Sequence, residues 1–297
     1  MLCGRGIIMR EAVFSLVSVI LLVGNLAAIG TFSRERAKRA VCLANLRQLT
    51  SAWNLYADQN DGKLVNGVGG FHYLKNGGTT KDGTGLVFAE RAWVGRGWSD
   101  NWSNPIVAET GVTEAQKEQF VREGALWPLI GDSRLYKCPL GRPYEWLNYS
   151  IVDAMNGMYR VGTASGANHV TAVGTRIGDT VLWIKNRSEI ISPGPSQRMV
   201  FIDEGAMTPD SFGVNYPSGP WWDNPPTRHN DGATVSWADG HASHLQWKGA
   251  ETVEFGREHE DYYGGGSFMP ATPEGIKDLQ DFRRAVWGRL YTDSPEK

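Results

Sequence analysis

Three histidines, His229, His241 and His244, fall within a short stretch, and imidazole nitrogens are common ligands for zinc. On one strand, however, side chains alternate between faces. His241 and His244 are an odd number of positions apart and point to opposite sides, so three convergent ligands would require a distortion. A second set of candidates ends the apolar run Met199-Val200-Phe201-Ile202. Asp203 and Glu204 follow it directly, with Asp210 nearby as a third oxygen source. Carboxylates at a strand end can bind a cation or move a proton. Acid–base catalysis also needs a partner base, a pocket and a substrate, and no motif supplies them. The three acids are read as loop anchors with a weak capacity for a cation. No catalytic residue, cofactor or metal site is expected.

Cysteine is the remaining reactive type. Cys3, Cys42 and Cys138 are widely spaced, with no Cys-x-x-Cys pair, which leaves a zinc ribbon or a thioredoxin-like redox motif unsupported. Two readings stand: unrelated thiols, or a Cys42–Cys138 disulfide in an exported chain. Asp58-Gln59-Asn60-Asp61-Gly62 places oxygens near a glycine, but Gly62 comes one position too early for an EF-hand loop. It reads as a helix stop.

The elements that position these residues begin with an N-terminal stretch. Ala12 to Phe32 is an uncharged run of 21 residues. As a helix it reaches about 30 Å, the thickness of a bilayer core. Ala28-Ile29-Gly30 offers small residues at signal-peptidase spacing, which opens the alternative of a cleaved signal. The run is longer than a signal core and leads into helical sequence, so a retained anchor is expected. Arg34, Arg36, Lys38 and Arg39 downstream outnumber Arg5 and Arg10 upstream, which taken alone would keep the C-terminal side cytoplasmic. Beyond the run, Cys42, Leu46, Leu49, Trp53 and Tyr56 form a narrow apolar seam at steps of four and three. The pattern predicts one rod from Glu11 to Asp58, roughly 70 Å long. The division is a leader over 1–11, a transmembrane helix over 12–32, an amphipathic continuation over 33–60 and a globular head over 61–297.

In the head, 36 glycines and 12 tryptophans in the whole chain favour turns and aromatic anchors over a helical bundle. Trp93, Trp98 and Trp102 are read as core filling, with stacking on sugar rings as the alternative. Thr113 with Gln116 makes a capping box that opens a helix to Ile130. Short strands are expected at Leu135–Pro139, Tyr149–Val152, Thr180–Ile184 and Met199–Ile202, and a C-terminal helix over Asp278–Leu290. Gly232–Ala238 and His241–Trp247 flank Asp239-Gly240 and predict a hairpin on a two-residue type I′ turn. His229 is expected to hold the start of the first strand or the turn backbone. The net charge of −2 gives no general pull toward nucleic acid.

Taken together, several segments carry a resemblance. Cys42-Leu43-Ala44-Asn45-Leu46-Arg47-Gln48-Leu49 with Tyr56-Ala57-Asp58, Leu126-Trp127-Pro128-Leu129-Ile130, Tyr136-Lys137-Cys138-Pro139 and Val200-Phe201-Ile202-Asp203-Glu204 stand in order. They close with His229, nine intervening residues and Asp239-Gly240. The ensemble, over roughly residues 12–248, resembles the type IV pilin-like proteins of planctomycetes and verrucomicrobia that carry an H-X9-DG signature. The resemblance implies an α+β, pilin-like fold: a long N-terminal helix, half membrane-embedded and half amphipathic, on an antiparallel sheet head. It implies a single-pass inner-membrane protein with its head in the periplasm or at the cell surface. Its role would be that of a pseudopilin-like structural or assembly subunit of a type II secretion or type IV pilus-like system, with other pseudopilins and the assembly machinery as partners. A secreted or anchored carbohydrate- or surface-binding module is the alternative. The prepilin processing site is degenerate: Phe14 fits the first mature residue, but Val13 replaces the glycine before it and Ser18 the glutamate after it. An unprocessed anchor and a non-polymerising relative both follow from that departure.

Overall fold

The computed structural model describes residues 33–68, 80–81, 87–88, 91–95, 113–143, 145–157, 176–204, 211–260, 268–290 and 292–293. The first helix, α1, spans residues 33–59. Its apolar seam forms as the spacing requires: Cys42, Leu46, Leu49, Trp53 and Ala57 are fully buried, while Tyr56 is only partly so. Residues 33–38 are exposed. The helix ends where Gly62, at φ +80°, donates its N–H to the Ala57 carbonyl at 2.8 Å.

Among the described residues the strands are β1 (Thr80–Lys81), β2 (Val87–Phe88), β3 (Tyr149–Ile151), β4 (Arg176–Ile177), β5 (Thr180–Val181), β6 (Met199–Asp203), β7 (Gly232–Trp237) and β8 (Ala242–Gln246). Four build the main sheet in the order β3-β6-β7-β8, antiparallel throughout. The pairs β1–β2 and β4–β5 form separate two-stranded ribbons. The other helices are α2 (Glu114–Arg122), α3 (Trp127–Ile130), α4 (Ala250–Glu258) and α5 (Pro273–Trp287).

Helix α1 runs along β7. Cys42 Sγ lies 2.9 Å from Thr234 Oγ1, Thr50 donates to Ser236 Oγ at 2.7 Å, and Asn54 donates to the Ala238 carbonyl at 3.2 Å. Helix α5 packs on β6, and Val200 and Ile202, which alternate to the opposite side from Phe201, are also fully buried. Both faces of the sheet are therefore covered. Trp53, Trp93, Trp221, Trp247 and Trp287 are buried in the core. Trp93 stacks on Tyr136 and meets Phe201 edge-on, and Trp221 packs against Trp247 and Phe282. Arg198 is buried too, donating to the carbonyls of Val181, Leu182 and Val286 and so tying β5 to the C-terminal end of α5.

Several expectations are corrected. The fold is mixed α+β, but among the described residues the pilin-like rod with a membrane half is not found. Among the described residues no helix is long and apolar enough to cross a membrane. The physical reason is visible in α1, which carries Arg34, Glu35, Arg36, Lys38, Arg39 and Arg47 around its seam. The run Ala12–Phe32 and the positions Val13, Phe14 and Ser18 lie outside the described residues, as do Cys3, Trp98, Trp102 and Asp210. The single helix expected over Thr113–Ile130 keeps its capping box but breaks after Arg122. The cause is Gly124, whose backbone is pressed so tightly on residues 93–94 that an added Cβ would lie 2.3 Å from the Trp93 carbonyl oxygen. Ser133–Tyr136 is a 3-10 turn capped by Asp132 rather than a strand, and α4 forms where only polar chain was expected.

The hairpin is present, with a different turn. Gly240 N–H donates to the Trp237 carbonyl at 2.8 Å, and Trp237 N–H to the His241 carbonyl at 3.0 Å, which closes a three-residue loop. Only Gly240 takes positive φ, +97°. Asp239 keeps ordinary φ and accepts from His241 N–H at 3.1 Å. These two glycines separate strain from sterics. Nothing lies within 4 Å of a Cβ at Gly240, so Gly240→Ala should lower stability by only about 1 kcal/mol, through backbone strain. Gly124→Ala meets backbone and should lower it by roughly 1–3 kcal/mol. Urea melts of the two variants check the order.

Candidate functional site

One end of the sheet gathers the reactive side chains. Because β6 and β7 are antiparallel, Asp203 at the end of β6 lies beside the chain that leads into β7, where His229 sits. The same pairing rule sets Tyr149, at the start of β3, opposite Asp203. Helix α1 lays Cys42 over this point. Cys138 arrives on the turn Cys138-Pro139-Leu140-Gly141, closed by Gly141 N–H to the Cys138 carbonyl at 2.8 Å.

The side chains of Asp203 and His229 are each 1% exposed and joined by a hydrogen bond of 2.8 Å between Oδ2 and Nε2. Cys42 donates to Asp203 Oδ2 at 3.2 Å, and Cys138 Sγ lies 3.4 Å from His229 Nε2. All four ligand-type atoms fall within 4.8 Å of one another. Asp203 Oδ1 and His229 Nδ1 are buried without a hydrogen-bond partner among the described residues. Both thiols are free in this structure, and their sulfurs lie within 4.8 Å of each other.

The electrostatics follow from burial and pairing. Burial alone would raise the Asp203 carboxyl, but the His229 imidazole holds it below its ordinary value. Burial would lower His229, and the hydrogen bond to Asp203 outweighs it, pushing the imidazole up to about 9. Burial raises the Cys42 thiol, and the adjacent Cys42 sulfur together with burial raises Cys138, so the two sulfurs stay protonated when held only by protein groups. Behind the cluster, Arg228 makes a two-pronged ion pair with Glu145, at 2.6 and 2.7 Å. Glu145 accepts from Asn148 Nδ2 at 2.6 Å, and Asn148 Oδ1 accepts from Cys138 N–H at 2.8 Å.

The other candidates disperse. Glu204 alternates to the opposite face from Asp203 and accepts from Ser150, so the two acids do not share a site. His241 pairs with Asp239 at 2.6 Å and stacks on Trp237. His244 Nε2 donates to the His229 carbonyl at 2.7 Å, while Arg39 approaches its other nitrogen at 3.4 Å. His229 itself reaches the Asp203 carboxylate, not the turn backbone. Of the expected site residues, the structure brings together Cys42, Cys138, Asp203 and His229. Sequence reading noted each of them and missed their convergence. The available signal was an acid ending one strand and a histidine just ahead of the next.

No protein-family model matches this chain, and no curated protein or solved structure shows significant similarity to it.

Removing one partner of a buried charged pair strands the other. His229→Ala should therefore destabilise the fold by about 3–5 kcal/mol, and adding Asp203→Asn should restore part of that loss. Denaturant melts of the single and double variants measure the coupling. With the four side chains held only by one another, stability should also depend on pH. The raised His229 contributes fully below its unfolded pKa of about 6.5 and loses that contribution as pH rises through about 9, a change on the order of 3 kcal/mol. The lowered Asp203 contributes above about 4 and is lost on acidification. Melts of reduced, chelator-treated protein from pH 4 to 10 should show a plateau followed by an alkaline decline, which His229→Ala abolishes.

Proposed function

We propose that this chain is a non-enzymatic structural or assembly subunit of the pseudopilin type, held at a membrane through its N-terminal stretch and presenting the sheet-bearing head outside. The observation that carries the reading is the way α1 is used. From Cys42 onward its seam is buried in the head, while residues 33–38 are exposed, with Glu35 and Arg36 bordering a cavity beside Leu140, Arg228 and His229. The sequence leading into that exposed end is the uncharged run Ala12–Phe32. A helix buried in the head along most of its length and exposed where it follows an uncharged run suits a tethered module. The reactive residues also support the reading, because they are sealed beneath α1 and serve contacts between elements. The rival reading, a carbohydrate-binding head, needs exposed aromatic platforms; among the described tryptophans Trp53, Trp93 and Trp221 are fully buried and Trp127, Trp146, Trp183, Trp222 and Trp237 half-buried, while Trp98 and Trp102 lie outside the described residues.

Membrane fractionation combined with intact-mass measurement tests the proposal. The chain is expected in the membrane fraction, released by detergent and not by high salt, with residues 14–30 still attached. Soluble protein whose mass corresponds to a start at Thr31 would overturn it.

A further inference from the structure

We propose that Cys42, Cys138, Asp203 and His229 form a buried tetrahedral site for one zinc ion that locks α1 onto the sheet. Two thiolates, an imidazole and a carboxylate make a donor set suited to zinc, and four protein ligands with no open position are the hallmark of a structural centre. Zinc bonds of about 2.0–2.3 Å to such ligands separate the ligand atoms by roughly 3.4–3.8 Å. The measured separations of 2.8 Å for Asp203–His229, 3.2 Å for Cys42–Asp203 and 3.4 Å for Cys138–His229 are slightly tighter than that. All the atoms already lie within 4.8 Å of one another, so small side-chain adjustments suffice.

A second, independent observation concerns the sulfurs. Tyr149 OH donates to Cys42 Sγ at 3.1 Å, and Thr234 Oγ1 lies 2.9 Å from the same atom. Leu140 N–H donates to Cys138 Sγ at 3.3 Å, from the turn that also fixes the cysteine backbone. Neutral thiols are weak acceptors, whereas these donors stand where metal-bound thiolates require compensation. The Arg228–Glu145–Asn148 chain adds an outer layer that holds the Cys138 turn. A cavity of about 140 Å³ lined by Glu35, Arg36, Arg39, Leu140 and Arg228 borders His229. A disulfide would employ the two sulfurs alone. It would leave the buried Asp203–His229 pair and the donors around the sulfurs without a common purpose.

The test uses the full chain, reduced and kept in mild detergent. After dialysis with zinc and removal of loose metal, elemental analysis should find about one zinc per chain. Both thiols should resist a thiol reagent until a strong chelator is added, and the melting temperature should fall with the metal. Replacement by Co(II) should give thiolate-to-metal charge transfer with the d–d bands of a tetrahedral site, lost in Cys138→Ser. Tyr149→Phe keeps the ring in the core and should weaken zinc binding about 10- to 100-fold, as loss of an outer-layer donor does. That variant keeps the test open should Cys138→Ser fail to fold. Wild-type protein that retains no metal with both thiols reactive would overturn the proposal. So would a Cys42–Cys138 disulfide on non-reducing peptide mapping, or zinc retained at full stoichiometry by a folded Cys138→Ser.

Discussion

A carboxylate and an imidazole sealed from water set the terms for everything around them. Each carries a desolvation penalty of several kcal/mol that only close pairing and further hydrogen bonds offset. The Asp203–His229 contact is tolerable because the end of β6, the chain before β7, the Cys138 turn and the first buried turn of α1 all close on it. Displace any one of these and the pair opens to water on one side while losing a partner on another. The sheet order and the placement of the helix are therefore coupled through this point, and purely apolar packing would not impose that coupling so specifically.

The polar character continues along α1. Next to the apolar seam, Thr50 and Asn54 find defined partners on Ser236 and Ala238, so the helix is registered on β7 as well as buried on it. Apolar contact supplies most of the free energy and is indifferent to a shift of one turn. Hydrogen bonds at fixed intervals are not, because each would be left unsatisfied after such a shift.

How much of this was legible in the sequence depends on the range of the interactions. The hairpin was readable because Asp239-Gly240 and the alternating runs are local, and the capping box at Thr113 for the same reason. The turn type was misread because Trp237 and His241 continue the pairing and leave three residues in the loop, which composition alone does not decide. The break after Arg122 comes from residues 93–94 pressing on Gly124, a contact that no window of the sequence contains. The cluster is the extreme case. Cys42, Cys138, Asp203 and His229 were each singled out, yet they come from four separate segments, and only the strand order β3-β6-β7-β8 together with the seating of α1 and of the Cys138 turn makes them neighbours. Tyr149, which completes their surroundings, had no motif to announce it.

The pairing of α1 with β7 also has a consequence in time. The helix ends at residue 59, and the hairpin it packs against is complete only at Gln246. At synthesis rates of about 5–20 residues per second, roughly 10–40 s separate the two. Until then the partners of Cys42, Thr50 and Asn54 on Thr234, Ser236 and Ala238 are missing or unpaired, so the register of α1 is fixed only when the chain is nearly complete. The first element made is among the last to find its final seat.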